Sequence, residues 1–155
     1  MTERPLWAPW RIEYITGSKG EQCIFCDPDS AHVIERGELC VTILNAYPYA
    51  PGHVMVAPVR HVGELGELED AELIELMHGA TRVIAAQRSA MNPDGFNVGL
   101  NLGKVAGAGI ADHLHLHVVP RWEGDNNFMP VLGDTRVIPQ ALEETRRLLV
   151  EALRR

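Results

Sequence analysis

Positive charge is scarce in this sequence. Fourteen Lys and Arg stand against 21 Asp and Glu, giving a formal net charge of −7. That balance excludes a broad basic face for nucleic acid but allows a small anionic ligand in a local positive pocket. Long apolar runs are missing as well. Nothing approaches the roughly 18 residues a membrane span needs, and "MTERPLWAPWRIEYI" lacks the apolar core of a secretory signal. No membrane contact is expected. Cysteine is limited to three residues, two of them in "CIFC" at 23–26, which suits a reducing cytoplasm and a metal site better than a disulfide framework. Internal repeats and low-complexity stretches are absent, so the 155 residues read as one domain with enough length for a core.

What stands out instead is histidine. Three of the seven fall within five residues of "HLHLHVVPR", at His113, His115 and His117. Alternation with period two is strand spacing, so the three imidazoles share one face while Leu114, Leu116 and Val118 turn to the other. Other segments read clearly too. "LCVTILN" (39–45), "HVMVAPV" (53–59) and "FNVGLNLG" (96–103) have strand character, with the turn-rich "AYPYAPG" between the first two. Apolar residues at helical spacing predict a helix over 70–91, ended by "NPDG", and a second helix from about Pro139. Hairpin-joined strands with one long inserted helix make an antiparallel α+β domain.

A histidine row can hold a metal, hold a phosphate, or supply a nucleophile with helpers. A strand rises about 3.3 Å per residue, so alternate histidines stand about 7 Å apart and the outer two about 13 Å apart at their backbones. Three zinc ligands from one strand are therefore a poor fit, although two are feasible. A division of labour fits better, with the central histidine reacting and its neighbours assisting. A neutral imidazole is a competent nucleophile near pH 7. The glycines of "KVAGAGI" suit close approach of backbone amides to phosphate.

"HLHLHVV", together with "LNAYPYAPGHVMVAPVRHV" and "FNVGLNLG…AG", resembles the histidine-triad nucleotide hydrolases and transferases over roughly residues 39–134. The resemblance implies a five-stranded antiparallel sheet with the long inserted helix and a C-terminal helix. It divides the single domain into an arm at 1–30, a core at 31–134 and a terminal helix at 135–155. It makes His115 the nucleophile toward an α-phosphorus, with His117 and His53 assisting. Asn45 would bind ribose, while Asn101, Gly107, Ala108, Gly109 and His117 would lie along the phosphates. Family hydrolases often carry a polar side chain where Ala108 and Gly109 stand, so backbone amides or Lys104 would substitute.

The same resemblance gives the cysteine pair a purpose. It implies a structural zinc held by Cys23, Cys26, His61 and His113, leaving His115 and His117 for chemistry. "WAPWRIEYI" and "PRWEGDNNF" resemble the branch containing bacterial diadenosine tetraphosphate phosphorylases. The implied reaction cleaves a dinucleoside polyphosphate through a nucleotidyl-histidine, with phosphate or water as acceptor, in a homodimeric cytoplasmic enzyme. A nucleoside phosphoramidate hydrolase, a zinc-dependent hydrolase and a non-catalytic adenine-nucleotide module are the alternatives. Trp7 and Trp10 suit an interface, a pocket wall or core packing, and Lys19, Arg60 and Arg121 are candidate sources of local positive charge. Cys40 reads as core, and His32 and His78 as structural or exposed.

Overall fold

The computed structural model describes residues 23–126 and 141–154. Trp7, Trp10, Lys19 and Pro139 lie outside them. Five strands form one antiparallel sheet: β1 (Val33–Arg36), β2 (Cys40–Leu44), β3 (Val54–Pro58), β4 (Gly95–Leu100) and β5 (Leu116–Arg121). Their spatial order is β1-β2-β3-β5-β4, which puts the histidine-bearing β5 next to the strand that follows His53. Two α-helices, α1 (Asp70–Met91) and α2 (Leu142–Leu153), and two single 3-10 turns at Leu65–Glu67 and Lys104–Ala106 complete the described fold. Among the described residues, no helix is long and apolar enough to cross a membrane.

Both faces of the sheet centre are covered, and β2 and β3 are buried along their whole length. Alternation sorts their side chains. Leu44, Val54, Val56, Leu116 and Val118 meet Leu76, Ala80 and Val83 of α1 and Leu149 of α2 in the larger core. Each fully buried leucine or valine contributes about 1.5–3 kcal/mol through loss of apolar surface to water. Val41, Ile43, Met55 and Ala57 point the opposite way and pack with Phe25 in a smaller core. The candidate site lies on this second face.

Helix α1 spans the residues its periodicity predicts. Its start is closed by the Glu69 amide donating to Glu72, and Asn92 ends it in the left-handed conformation with φ 47°. The strands predicted at 39–45 and 53–59 each lose one residue at either end, while the one predicted at 96–103 starts a residue earlier, at Gly95, and stops three sooner, at Leu100. The histidine strand shifts more, since its ladder begins only at Leu116. His113 lies in a bend and His115 just ahead of the ladder, and between them the Leu114 amide donates to the Val62 carbonyl beyond the end of β3. The alternation of faces persists through this stretch, with Leu114 in the larger core. Strand β1 has no strong local pattern, and it entered the expected architecture only through the family resemblance.

Candidate active site and metal cluster

The arm segment from Cys23 turns back on itself, with the amides of Cys26 and Asp27 donating to the Cys23 carbonyl. The turn brings both sulfurs against two histidines. Cys23 Sγ stands 3.2 Å from His113 Nδ1, and Cys26 Sγ stands 3.2 Å from His61 Nδ1. The two Nδ1 atoms are 3.1 Å apart, and all four donor atoms lie within 4.8 Å of one another. A tetrahedral ion bonded at 2.0–2.3 Å separates its donors by about 3.3–3.8 Å, so this spacing fits one ion among the four atoms. The outer nitrogen of each ring agrees. His113 Nε2–H donates to the Pro58 carbonyl at 2.8 Å, which leaves Nδ1 as its lone-pair nitrogen. His61 Nε2 lies 3.7 Å from Asp112. The Cys23, Cys26, His61 and His113 set is thus able to hold a metal ion.

His115 belongs to a different environment. Its Nδ1–H donates to the His113 carbonyl at 2.9 Å, so in the neutral ring Nε2 carries the lone pair. Burial pushes its pKa below the usual imidazole value, which keeps the ring neutral at physiological pH. A second chain of hydrogen bonds starts at the main chain. The Tyr49 amide donates to His53 Nδ1 at 3.1 Å, with the Asn45 side-chain amide also approaching that nitrogen at 3.4 Å. His53 must then carry its proton on Nε2, 2.8 Å from His117 Nδ1. By the same logic a neutral His117 is protonated at Nε2. The His115 and His117 rings meet edge-on, with centroids 4.9 Å apart.

A cavity of about 470 Å³ opens beside these rings. His115 and His117 line one part of it, and Asn45, Ala46 and Tyr47 another. Ile24, Phe25, Ile43 and Ile110 provide apolar wall. Asn45 Oδ1 accepts the Tyr47 amide at 2.8 Å, which holds the side chain at the end of β2 and leaves a second lone pair. The turn that delivers His53 needs Gly52, whose φ is +79°. A Cβ there would also come within 2.7 Å of Met91 Sδ.

Most of the anticipated residues gather here, though not all in one role. His53 stands behind His117 and is absent from the cavity wall, as are Asn101 and Ala108. Gly107 and Gly109 do line the cavity, but the amides of Gly107 and Ala108 donate to the Lys104 and Gly103 carbonyls. The expected phosphate cradle therefore cannot draw on those two amides in this loop conformation. Nor do the arginines supply loose positive charge. Arg60 is engaged with Glu72, and Arg121 with Asp125 and Asn97. Sequence reasoning missed much of the wall, Ala46, Tyr47 and Ile110 among it. Ile24 and Phe25, inside "CIFC", form cavity wall, and His32 also lines it, although nothing around His32 signals a site.

The match to known proteins covers the same region. The HIT domain model matches residues 28–124. A protein of Mycobacterium tuberculosis called AP-4-A phosphorylase is 44% identical over 162 aligned positions, covering 93% of this chain and 81% of that protein. The asymmetrical bis(5'-nucleosyl)-tetraphosphatase of Schizosaccharomyces pombe is 32% identical over 98 positions, covering 63% of this chain and 53% of its own length. Among solved structures, a Zn-bound histidine triad family protein from Mycobacterium smegmatis superposes with a TM-score of 0.71. It is 30% identical, and the match covers 86% of this chain and 94% of that one. With the triad on a buried sheet face beside a cavity and the family model spanning both half-sites, this chain belongs to the HIT domain family.

Proposed function

We propose that this protein cleaves dinucleoside polyphosphates such as diadenosine tetraphosphate by nucleotidyl transfer through His115. The observation that carries the reading is the His115 ring itself. It lines the cavity, is held neutral by burial, and has Nδ1 committed to a carbonyl so that Nε2 is the nucleophilic atom. His115 Nε2 attacks the α-phosphorus, an N–P bond forms, and the P–O bond to the leaving polyphosphate breaks. His117, protonated at Nε2 by way of His53, donates to a phosphate oxygen as charge redistributes. Asn45 holds ribose hydroxyls, and the apolar wall accepts the base. Gly107 and Gly109 lie beside the phosphates in this reading, with Asn101 and Ala108 supporting their loop.

The second step returns the nucleotidyl group to an acceptor. The similarity to the phosphorylase favours phosphate, which yields ADP and ATP from diadenosine tetraphosphate, whereas water yields AMP and ATP. Product analysis with and without inorganic phosphate separates the two. We expect ADP formation that rises with phosphate concentration. Products and rates that ignore phosphate assign the protein to hydrolysis, and an absence of turnover leaves only nucleotide binding.

We further propose that the Cys23, Cys26, His61 and His113 cluster holds a structural zinc. Two thiolates and two imidazoles complete a tetrahedral shell with no position for water, and His115 and His117 stand outside it. Zinc there stabilises the arm against the sheet. Elemental analysis of freshly purified protein is expected to find about one zinc per chain, with Cys26→Ser losing it and melting at lower temperature. Metal-free protein with both thiols titratable would end this assignment.

A further inference from the structure

The two residues between the cluster cysteines, Ile24 and Phe25, are both apolar, and the fold uses them differently. Ile24 is 39% exposed on the cavity wall, while Phe25 is buried to 2%. The phenyl ring touches two of the triad rings at once. Its centroid is 4.8 Å from that of His115, with the planes 27° apart in a stacked arrangement. It is 5.1 Å from His113, with the planes at 47°. His113 is a member of the cluster and His115 is not.

The orientation of His115 needs such a contact. Its Nδ1–H bond to the His113 carbonyl fixes the tautomer. A single hydrogen bond still allows the ring plane to rock about the donor–acceptor line. The plane is set by whatever packs against it, here Phe25 across its face and His117 edge-on. In-line attack depends on where the Nε2 lone pair points, and a misplacement of about 1 Å can cost about a hundredfold in rate. The position of Phe25 is in turn fixed from both sides of the chain, because Cys23 and Cys26 are cluster donors.

We propose that Phe25 is a positioning residue for His115, and that the metal cluster, through the Cys23–Cys26 turn, holds Phe25 in place. The proposal rests on the reading of His115 as the nucleophile. It gives "CIFC" a second task beyond anchoring the arm, since the state of the cluster reaches the reacting ring through Phe25 as well as through the His113 carbonyl. A wall residue needs only to be apolar and of suitable size, whereas a stacking residue needs a flat ring. Leucine and tyrosine at this position therefore separate the two roles.

The test compares Phe25→Leu and Phe25→Tyr in the full chain, with His115→Asn as reference. Steady-state kinetics on diadenosine tetraphosphate give kcat and KM, and proton NMR follows the His115 ring resonances, identified by their loss in His115→Asn. Phe25→Leu is expected to lower kcat on the order of tenfold to a hundredfold with KM little changed. The His115 ring protons should move away from their ring-shielded positions. Phe25→Tyr, which keeps a flat ring, should retain the shielded resonances and lose less kcat than Phe25→Leu. Removing the metal from wild-type protein with a chelator should shift the same resonances with Phe25 intact, and Phe25→Tyr, which keeps the ring, serves for the positioning role if Phe25→Leu fails to fold. Wild-type kcat in a folded Phe25→Leu, or a raised KM with unmoved His115 resonances, overturns the positioning role. Resonances indifferent to metal removal overturn the link to the cluster. Turnover that survives His115→Asn overturns the nucleophile reading instead, an outcome distinct from either.

Discussion

A neutral imidazole can carry its proton on either nitrogen, and at the scale of single residues the fold decides which. Two main-chain groups make the decision here. The His113 carbonyl assigns the His115 proton to Nδ1, and the Tyr49 amide, through His53, assigns the His117 proton to Nε2. One ring thus offers a lone pair and its neighbour offers a donor. His115→Asn should abolish most turnover, on the order of a thousandfold or more, because the covalent route closes. His53→Asn should cost less, roughly tenfold to a hundredfold, since it disturbs only the donor. Single-turnover rates at saturating substrate check both, and equal losses would contradict the separate roles. The triad and the glycine-turn histidine were legible in the sequence because side-chain identity and spacing carry them. The Tyr49 amide was not legible, as every non-proline residue has the same amide. His32 was equally silent, reaching the cavity because its carbonyl accepts the Leu44 amide beside β1.

Between elements, the connection from β3 to α1 carries His61 of the Cys/His cluster, and an ion pair braces it. Arg60 donates through Nε and Nη2 to the two carboxylate oxygens of Glu72, at 3.0 and 2.7 Å, and also to the Glu67 carbonyl. Glu72 is a buried carboxylate at the start of α1 that also accepts the Glu69 amide. The Arg60 bond, followed by the Glu69 amide, holds its pKa below the ordinary 4.5. A carboxylate with a depressed folded-state pKa contributes fully above its unfolded value and loses that contribution as pH falls through the folded one. Glu72→Gln should therefore melt at lower temperature than wild type at neutral pH. The gap should narrow once pH falls below about 4.5, where the wild-type carboxylate begins to lose its advantage. A gap that stays constant across that range would show that the brace is not electrostatic. The sequence revealed α1 to the residue, because a long periodic helix with a turn-forming stop is a local signal. It misplaced the start of β5, because His113–His115 alternate like a strand while bonding to the chain beyond β3. Alternation reports which way side chains point, and the ladder depends on a partner far away in sequence.

For the whole molecule, the question is what the two edges of the sheet do, since an open edge pairs with another chain unless it is covered. The β1 edge is covered, for α2 packs against it and Arg146 Nε donates to the Val33 carbonyl at 2.8 Å. The opposite edge, β4, has exposed residues at Asn97, Val98 and Gly99 and carries neither proline nor lysine to discourage pairing. The antiparallel α+β class was legible from hairpin spacing, but the edges were not, because strand order is set by contacts no local pattern records. We propose that two copies pair along β4 in an isologous dimer, extending one sheet across both subunits. Val98, on this strand and 43% exposed, is the position to test. Val98→Lys places like charges near each other across a two-fold-related strand pair, where repulsion opposes association. Because Val98 is at the surface of the isolated chain, the substitution should leave the fold intact by circular dichroism. Sedimentation equilibrium should give a dimer mass for wild type and a monomer mass for Val98→Lys. A wild-type chain that sediments as a monomer at micromolar concentration, or a Val98→Lys chain that remains fully dimeric, would place the contact elsewhere or remove it.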